Sequence, residues 1–248
     1  MLLILPPSET KRDGGAPGSR LDLAALSFPA LTPQRSLALN ALGTLSRNLR
    51  VATGALSLGP TQRHEIERNR EVLTSPVMPA IDRYTGVLYD GLQAAQLSAT
   101  ERAFANDRVV VHSALFGLLA AGDPIPAYRV SHNSRLPGLS LGKHWRAGIS
   151  AELAQQPGLI LDLRSEAYAS LGRAPARDGS VYVRVVAGGA NGRRTALSHF
   201  NKKAKGEFTR AVIRAGIDHP DLASLFDWAK KSGILLENGA PGEIDLVV

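Results

Sequence analysis

Short apolar runs bounded by turn residues alternate along the chain with stretches whose apolar positions fall at three-to-four spacing. Leu2 to Leu5 is the first run, stopped by Pro6-Pro7, and it predicts a buried strand entering a loop. Ser8 to Pro29 is rich in Gly, Pro, Ser and charge and reads as loop. Thr32-Pro33 has the form of an N-cap and first helical residue, and Leu37, Ala38, Ala41, Leu42, Leu45 and Leu49 then predict a helix over 33–49. A polar helix is expected from Pro60 toward Val72, and Ser98-x-x-Glu101 has the form of a capping box opening another.

The second half continues the alternation. Arg108 to His112 predicts a strand, Ala114 to Ala121 a helix, and Lys143 to Gln156 a helix ended by Pro157-Gly158. Leu159 to Leu163 predicts a buried strand, Ser165 to Leu171 a helix, and Val181 to Val186 a strand, with Gly188 to Gly192 as the turn back. Asn201 to Ala215 predicts a helix with Gly216 at its C-cap, and Asp221 to Lys231 another closed by Gly233. Glu243 to Val248 is the last strand. The pattern predicts an α/β fold (mixed α+β), one compact domain over 1–248 with a mixed sheet flanked by helices.

A chain of 248 residues fits one globular domain. The absence of cysteine excludes disulfides, thiolate zinc sites and cysteine nucleophiles. No apolar run approaches the ~18 residues of a membrane span, and the apolar start lacks the basic flank of a signal peptide. A cytoplasmic protein with no membrane contact is the expectation. The formal charge is 29 − 22 = +7. Residues 193–214 hold seven basic side chains against Glu207, so 22 residues carry +6 and the rest about +1. A neutral body with one basic segment suggests a surface for a polyanion; the alternative is an ordinary solvated face.

Candidate chemistry is sparse. Gly138-Leu-Ser140-Leu-Gly142 matches a nucleophile elbow, yet no strand precedes it. The six histidines sit at no metal-ligand spacing, and no phosphate-binding glycine loop of known type occurs, so neither a metal nor a cofactor is expected. Asp162 and Glu166 straddle a strand end, where α/β proteins place functional groups, although a cap and a solvated carboxylate explain them equally well. Ser198 to Gly206 is more informative. Lys202, Lys203 and Lys205 fall in the first turns of a predicted helix, opposing its dipole, and this points to a bound anion, with phosphate the natural one.

Several blocks then recur in a known order: Leu5-Pro-Pro-Ser-Glu-Thr-Lys11, Arg83 to Gln93, His112 to Leu119, Asp123 to Arg129, Leu161 to Tyr168, and the lysine block. In these the chain resembles the bacterial peroxide-stress protein YaaA family. It departs from the family pattern at His199-Phe200-Asn201 and at Pro7-Ser8-Glu9-Thr10-Lys11. The resemblance implies a cytosolic protein that limits unincorporated iron and DNA damage during peroxide stress. It also implies a DNA-binding α/β fold with a helix-hairpin-helix-like element, for which Ile213 to Asp218 is the nearest candidate. Two functional readings follow. In the first, Lys202, Lys203 and Lys205, supported by Arg193, Arg194 and Arg210, bind the phosphate backbone of DNA. In the second, Ser8, Lys11, Tyr84, Arg129, Glu166 and His199 converge with Lys202 in a pocket, and the protein is an enzyme acting on a phosphorylated or nucleotide-like small molecule. A convex basic ridge favours the first; a deep polar pocket favours the second.

Overall fold

The structure, a computed structural model, describes residues 1–187 and 198–248, with Ser198–Phe200 described as helix backbone only. Its strands are β1 (Leu2–Leu5), β2 (Met78–Pro79), β3 (Val109–Ser113), β4 (Gly117–Ala120), β5 (Pro124–Ile125), β6 (Ile160–Asp162), β7 (Ser180–Val186), β8 (Leu235–Asn238) and β9 (Glu243–Val247). Seven form one sheet in the order β4-β3-β1-β6-β7-β9-β8, while β2 and β5 make a small separate ribbon. The five central strands are all parallel, and the edge strands β4 and β8 run antiparallel to their neighbours. This is the mixed α/β architecture that the apolar pattern predicts. Strands β1, β3 and β6 are buried along their whole length, which is why they read as continuous apolar runs rather than alternating ones. Numbered among themselves in chain order, the parallel strands lie 2-1-3-4-5, so the direction of winding reverses between β1 and β6.

The helices are α1 (Thr32–Ser46), α2 (Leu49–Ala55), α3 (His64–Arg70), α4 (Ala80–Arg83), α5 (Val87–Leu92), α6 (Ala99–Arg108), α7 (Leu141–Ala154), α8 (Glu166–Ala169), α9 (Ser198–Ala215) and α10 (Leu222–Lys231). Both bonds of the Ser98/Glu101 capping box form, and Gly216 and Gly233 follow α9 and α10 as expected. Four expectations need correction. The helix predicted over 33–49 ends at Ser46, because Asn48 turns to extended backbone and its side chain accepts from Val51 N–H to open α2. Thr32 lies inside α1 rather than capping it, since a 3-10 turn over Pro29–Leu31 leads directly into the helix. Ala114 to Ala121 is no helix but a tight turn and strand β4. Ser113 Oγ accepts from the N–H groups of Leu115 and Phe116, and Gly117 takes φ +69, with the Trp145 ring 2.8 Å from where a Cβ would stand. Finally, α9 begins at Ser198, so Lys202 is its fifth residue and the unpaired N–H groups of the helix start lie before the lysines. The expected turn at 188–192 lies outside the described residues.

Among the described residues three arginines are fully buried, and they organise the irregular segments. Arg83 donates to the main-chain carbonyls of Arg12, Gly14, Pro76 and Ile125. Arg35 does the same for Ser27, Phe116 and Leu118. Arg164 grips Asp162 through two bonds, of 2.8 and 2.6 Å, and also reaches Gly172 O and His112 Nδ1. Since an arginine only donates, His112 Nδ1 accepts, and burial followed by the Arg164 charge holds that imidazole neutral.

Candidate functional site at the strand switch point

Where β1 and β6 diverge, their carboxyl ends leave a crevice, the position at which open α/β sheets bind ligands. A cavity of about 690 Å³ occupies it. One wall is the loop after β1, Pro6 to Thr10; the floor is Leu163, Ser165 and Glu166 after β6. Tyr182 of β7 and Lys202 and Lys205 of α9 line the far side, with Tyr89 and Tyr168 between.

The α9 wall is set by close helix packing. A Cβ on Gly206 would overlap Leu88 O of α5, and one on Gly91 would stand 2.7 Å from Lys203 O. The two helices therefore touch backbone to backbone, and that contact turns Lys205 inward. Lys205 is 5% exposed, and its Nζ donates to Leu163 O at 3.0 Å and Arg164 O at 3.4 Å. It also stands 5.1 Å from the Tyr182 ring centroid. Burial pulls the ammonium down from 10.5 to about 8, against the opposing pull of Asp162 and then Glu166.

The opposite wall is held from behind by buried polar side chains. Lys11 Nζ donates to Ser8 O at 2.9 Å and Glu9 O at 3.2 Å and lies 4.1 Å from the Tyr128 ring centroid. Burial lowers it to about 7; Glu65 opposes the shift and Arg129 adds to it. Arg129 pairs with Glu9 on the same loop. Tyr84, Tyr128 and Ser113 form a hydroxyl chain with two links of 2.7 Å, and Tyr89 donates to Pro6 O at 2.9 Å. Burial raises the Tyr84 and Tyr128 phenols, so both stay protonated.

The sequence-predicted residues divide accordingly. Ser8, Glu166, Lys202 and Lys205 meet in the cavity. Lys11, Tyr84 and Arg129 form the layer behind its wall instead. Lys203 is exposed and pairs with Glu207 at 3.4 Å, and Arg210 is half-buried against Gln96 Oε1 at 2.6 Å. The three lysines thus do not share one face, and Lys205 has no exposed ammonium to offer a duplex. Arg193 and Arg194 lie outside the described residues, as does the His199 side chain. Asp162 is buried in its pair with Arg164, a structural role. Sequence reasoning passed over Glu9, His132, Tyr168, Tyr182 and Asn201, all of which line the cavity. Glu9, Tyr168 and Asn201 fall inside the blocks of resemblance; His132 and Tyr182 carry no local signal. Among the described residues no group of three or more His, Asp or Glu could hold a metal, and no helix is long and apolar enough to cross a membrane.

Fold and site together define a doubly wound α/β protein with a polar cavity at its switch point. Residues 1–230 match the family described as peroxide stress protein YaaA. The chain belongs to that family. It is 40% identical to a UPF0246 protein of Corynebacterium efficiens, over the full length of both. It is also 39% identical to a UPF0246 protein of Streptomyces coelicolor, over 98% of this chain and 94% of the relative. A UPF0246 protein of Roseobacter denitrificans is 29% identical over 86% of this chain.

Proposed function

We propose that this peroxide stress protein works through its switch-point cavity, as an enzyme acting on a small phosphorylated or nucleotide-like molecule. Lys205 carries the reading. Its ammonium is buried, its hydrogen bonds go to main-chain carbonyls, and no carboxylate among the described residues forms an ion pair with it. Burial leaves the ammonium poorly solvated and Asp162 and Glu166 offset that only in part, so an anion entering the cavity is favoured. Lys202 adds a second cation, the Ser8 and Ser165 hydroxyls add donors, and Glu166 adds a carboxylate for proton transfer. A volume of about 690 Å³ suits a molecule of this size. The test is thermal unfolding with inorganic phosphate, ribose 5-phosphate or AMP. Wild type is expected to gain stability with ligand concentration and Lys205→Met to gain far less; no gain in wild type with any of the three sinks the reading.

A second reading, binding of the DNA backbone, is favoured by the exposed Lys203, with Lys202 beside it at the cavity rim. Its measure is fluorescence anisotropy on duplex DNA across a salt series. The log–log salt slope of Lys202→Ala/Lys203→Ala should fall by about 1 to 2, and an unchanged slope removes DNA as the partner of these lysines.

A further inference from the structure

Among the described residues two lysines are buried, one at each wall of the cavity, and only one of them lines it. Lys11 sits behind the wall, its ammonium bonded to two carbonyls and packed against the Tyr128 ring. Lys205 lines the cavity itself, and its two hydrogen bonds occupy two of the three ammonium protons. We propose that Lys205 is an amine nucleophile, and that the cavity takes a small aldehyde or ketone bearing a phosphate or carboxylate group. This rests on the cavity reading above and names its substrate class.

The geometry supplies each part of that chemistry. A lysine held in a desolvated site is an arrangement that frees an amine for attack on a carbonyl. Desolvation is present here, and burial brings Lys205 to about 8, so a usable fraction is unprotonated near neutral pH. Lys202 lines the same cavity and can hold the substrate's anionic group. Glu166 also lines it, and its charge is felt at Lys205 Nζ.

The step balances without an outside oxidant or reductant. The amine lone pair forms a C–N bond to the carbonyl carbon while the C=O π pair moves to oxygen. Glu166 takes one of the two amine protons and hands it to that oxygen, which becomes the carbinolamine hydroxyl. The nitrogen lone pair then expels that hydroxyl, Glu166 carries the second nitrogen proton to it, water leaves and a C=N bond remains. Amine plus carbonyl gives imine plus water.

The experiment traps the imine on the full chain. Pyruvate, glyoxylate and ribose 5-phosphate are each incubated with the protein and sodium cyanoborohydride, followed by intact mass and peptide mapping. Labelling at Lys205 is expected to exceed that at Lys143, Lys230 and Lys231 at least tenfold with one of the three probes. Inorganic phosphate should slow labelling at Lys205 and leave Lys143 unaffected. Glu166→Gln should slow trapping and flatten its pH profile while leaving Lys143 unchanged. Equal labelling of Lys205 and the exposed lysines with every probe overturns the proposal. Because mapping is done on wild type, the result stands even if Lys205→Met fails to fold. Phosphate-dependent stabilisation without selective labelling removes the amine chemistry and leaves the cavity reading intact; loss of both removes both.

Discussion

The two walls of the cavity are built on different physics. The Pro6–Thr10 wall is irregular chain held by cations behind it: Lys11 bonds Ser8 and Glu9 carbonyls, and Arg129 pairs with Glu9. The α9 wall is regular helix held mainly by close contact, Gly206 against Leu88 and Gly91 against Lys203, with Lys205 bonded to the carbonyls of Leu163 and Arg164. One wall depends on charge and therefore on pH. The other depends on the absence of two methyl groups. A site made this way has one face set by bonds from behind and one set mainly by shape.

The sharpest way to break the comparison is at the glycine contact. Gly206→Val places carbon atoms on the Leu88 carbonyl, where neither helix backbone can yield. A loss above about 4 kcal/mol by urea unfolding is expected, in the exceptional range for one substitution; a change under about 1 kcal/mol would show that the helices can separate. Arg83→Ala comes next, removing the guanidinium donor from four main-chain carbonyls. It should lose about 3 kcal/mol or more, with the deficit not restored by lysine, which lacks the planar fork.

Both walls are tested with pH, through the buried lysine that each one carries. Lys11 and Lys205 have folded values near 7 and 8, below the unfolded 10.5. Between those folded values and 10.5 the unfolded chain binds more protons, so stability rises with pH across that window. Each lysine contributes a slope of at most about 1.4 kcal/mol per pH unit. Lys11→Met should remove its share from about pH 7 upward and Lys205→Met from about pH 8 upward; parallel curves for wild type and both variants would refute the assignment. The smallest effect belongs to the rim. Lys202→Ala and Lys203→Ala should each change stability by less than about 0.5 kcal/mol while altering the response to phosphate or DNA, and a larger stability change would mean these side chains hold α9 in place.

Much of this was legible in the chain, for identifiable reasons. The central parallel strands announce themselves because both of their faces are buried, so their apolar runs are unbroken. Strand β4 did not, because Leu115 to Ala121 is apolar without a period, and such a run suits helix and strand alike. Strand β8 starts with the exposed Leu235 and offers no alternation to read. Ser8 and Glu166 were visible at strand ends. The inward turn of Lys205 was hidden by its neighbours, since three lysines in four positions read as solvated charge. Its helical phase held the signal: Lys205, Thr209 and Val212 share one stripe, and all three are buried. Charge identity masked what periodicity carried.

Arg35 and Arg83 have a further consequence, in how the sequence is free to change. Their partners are main-chain carbonyls at Arg12, Gly14, Ser27, Pro76, Phe116, Leu118 and Ile125. Every amino acid carries that carbonyl. The stretch from Arg12 to Ser27 can thus exchange side chains over generations without losing the bonds these two arginines make to it, while part of the information for its path is stored in two arginine codons elsewhere. Mutational tolerance in this loop and intolerance at two distant positions are one fact seen from its two ends.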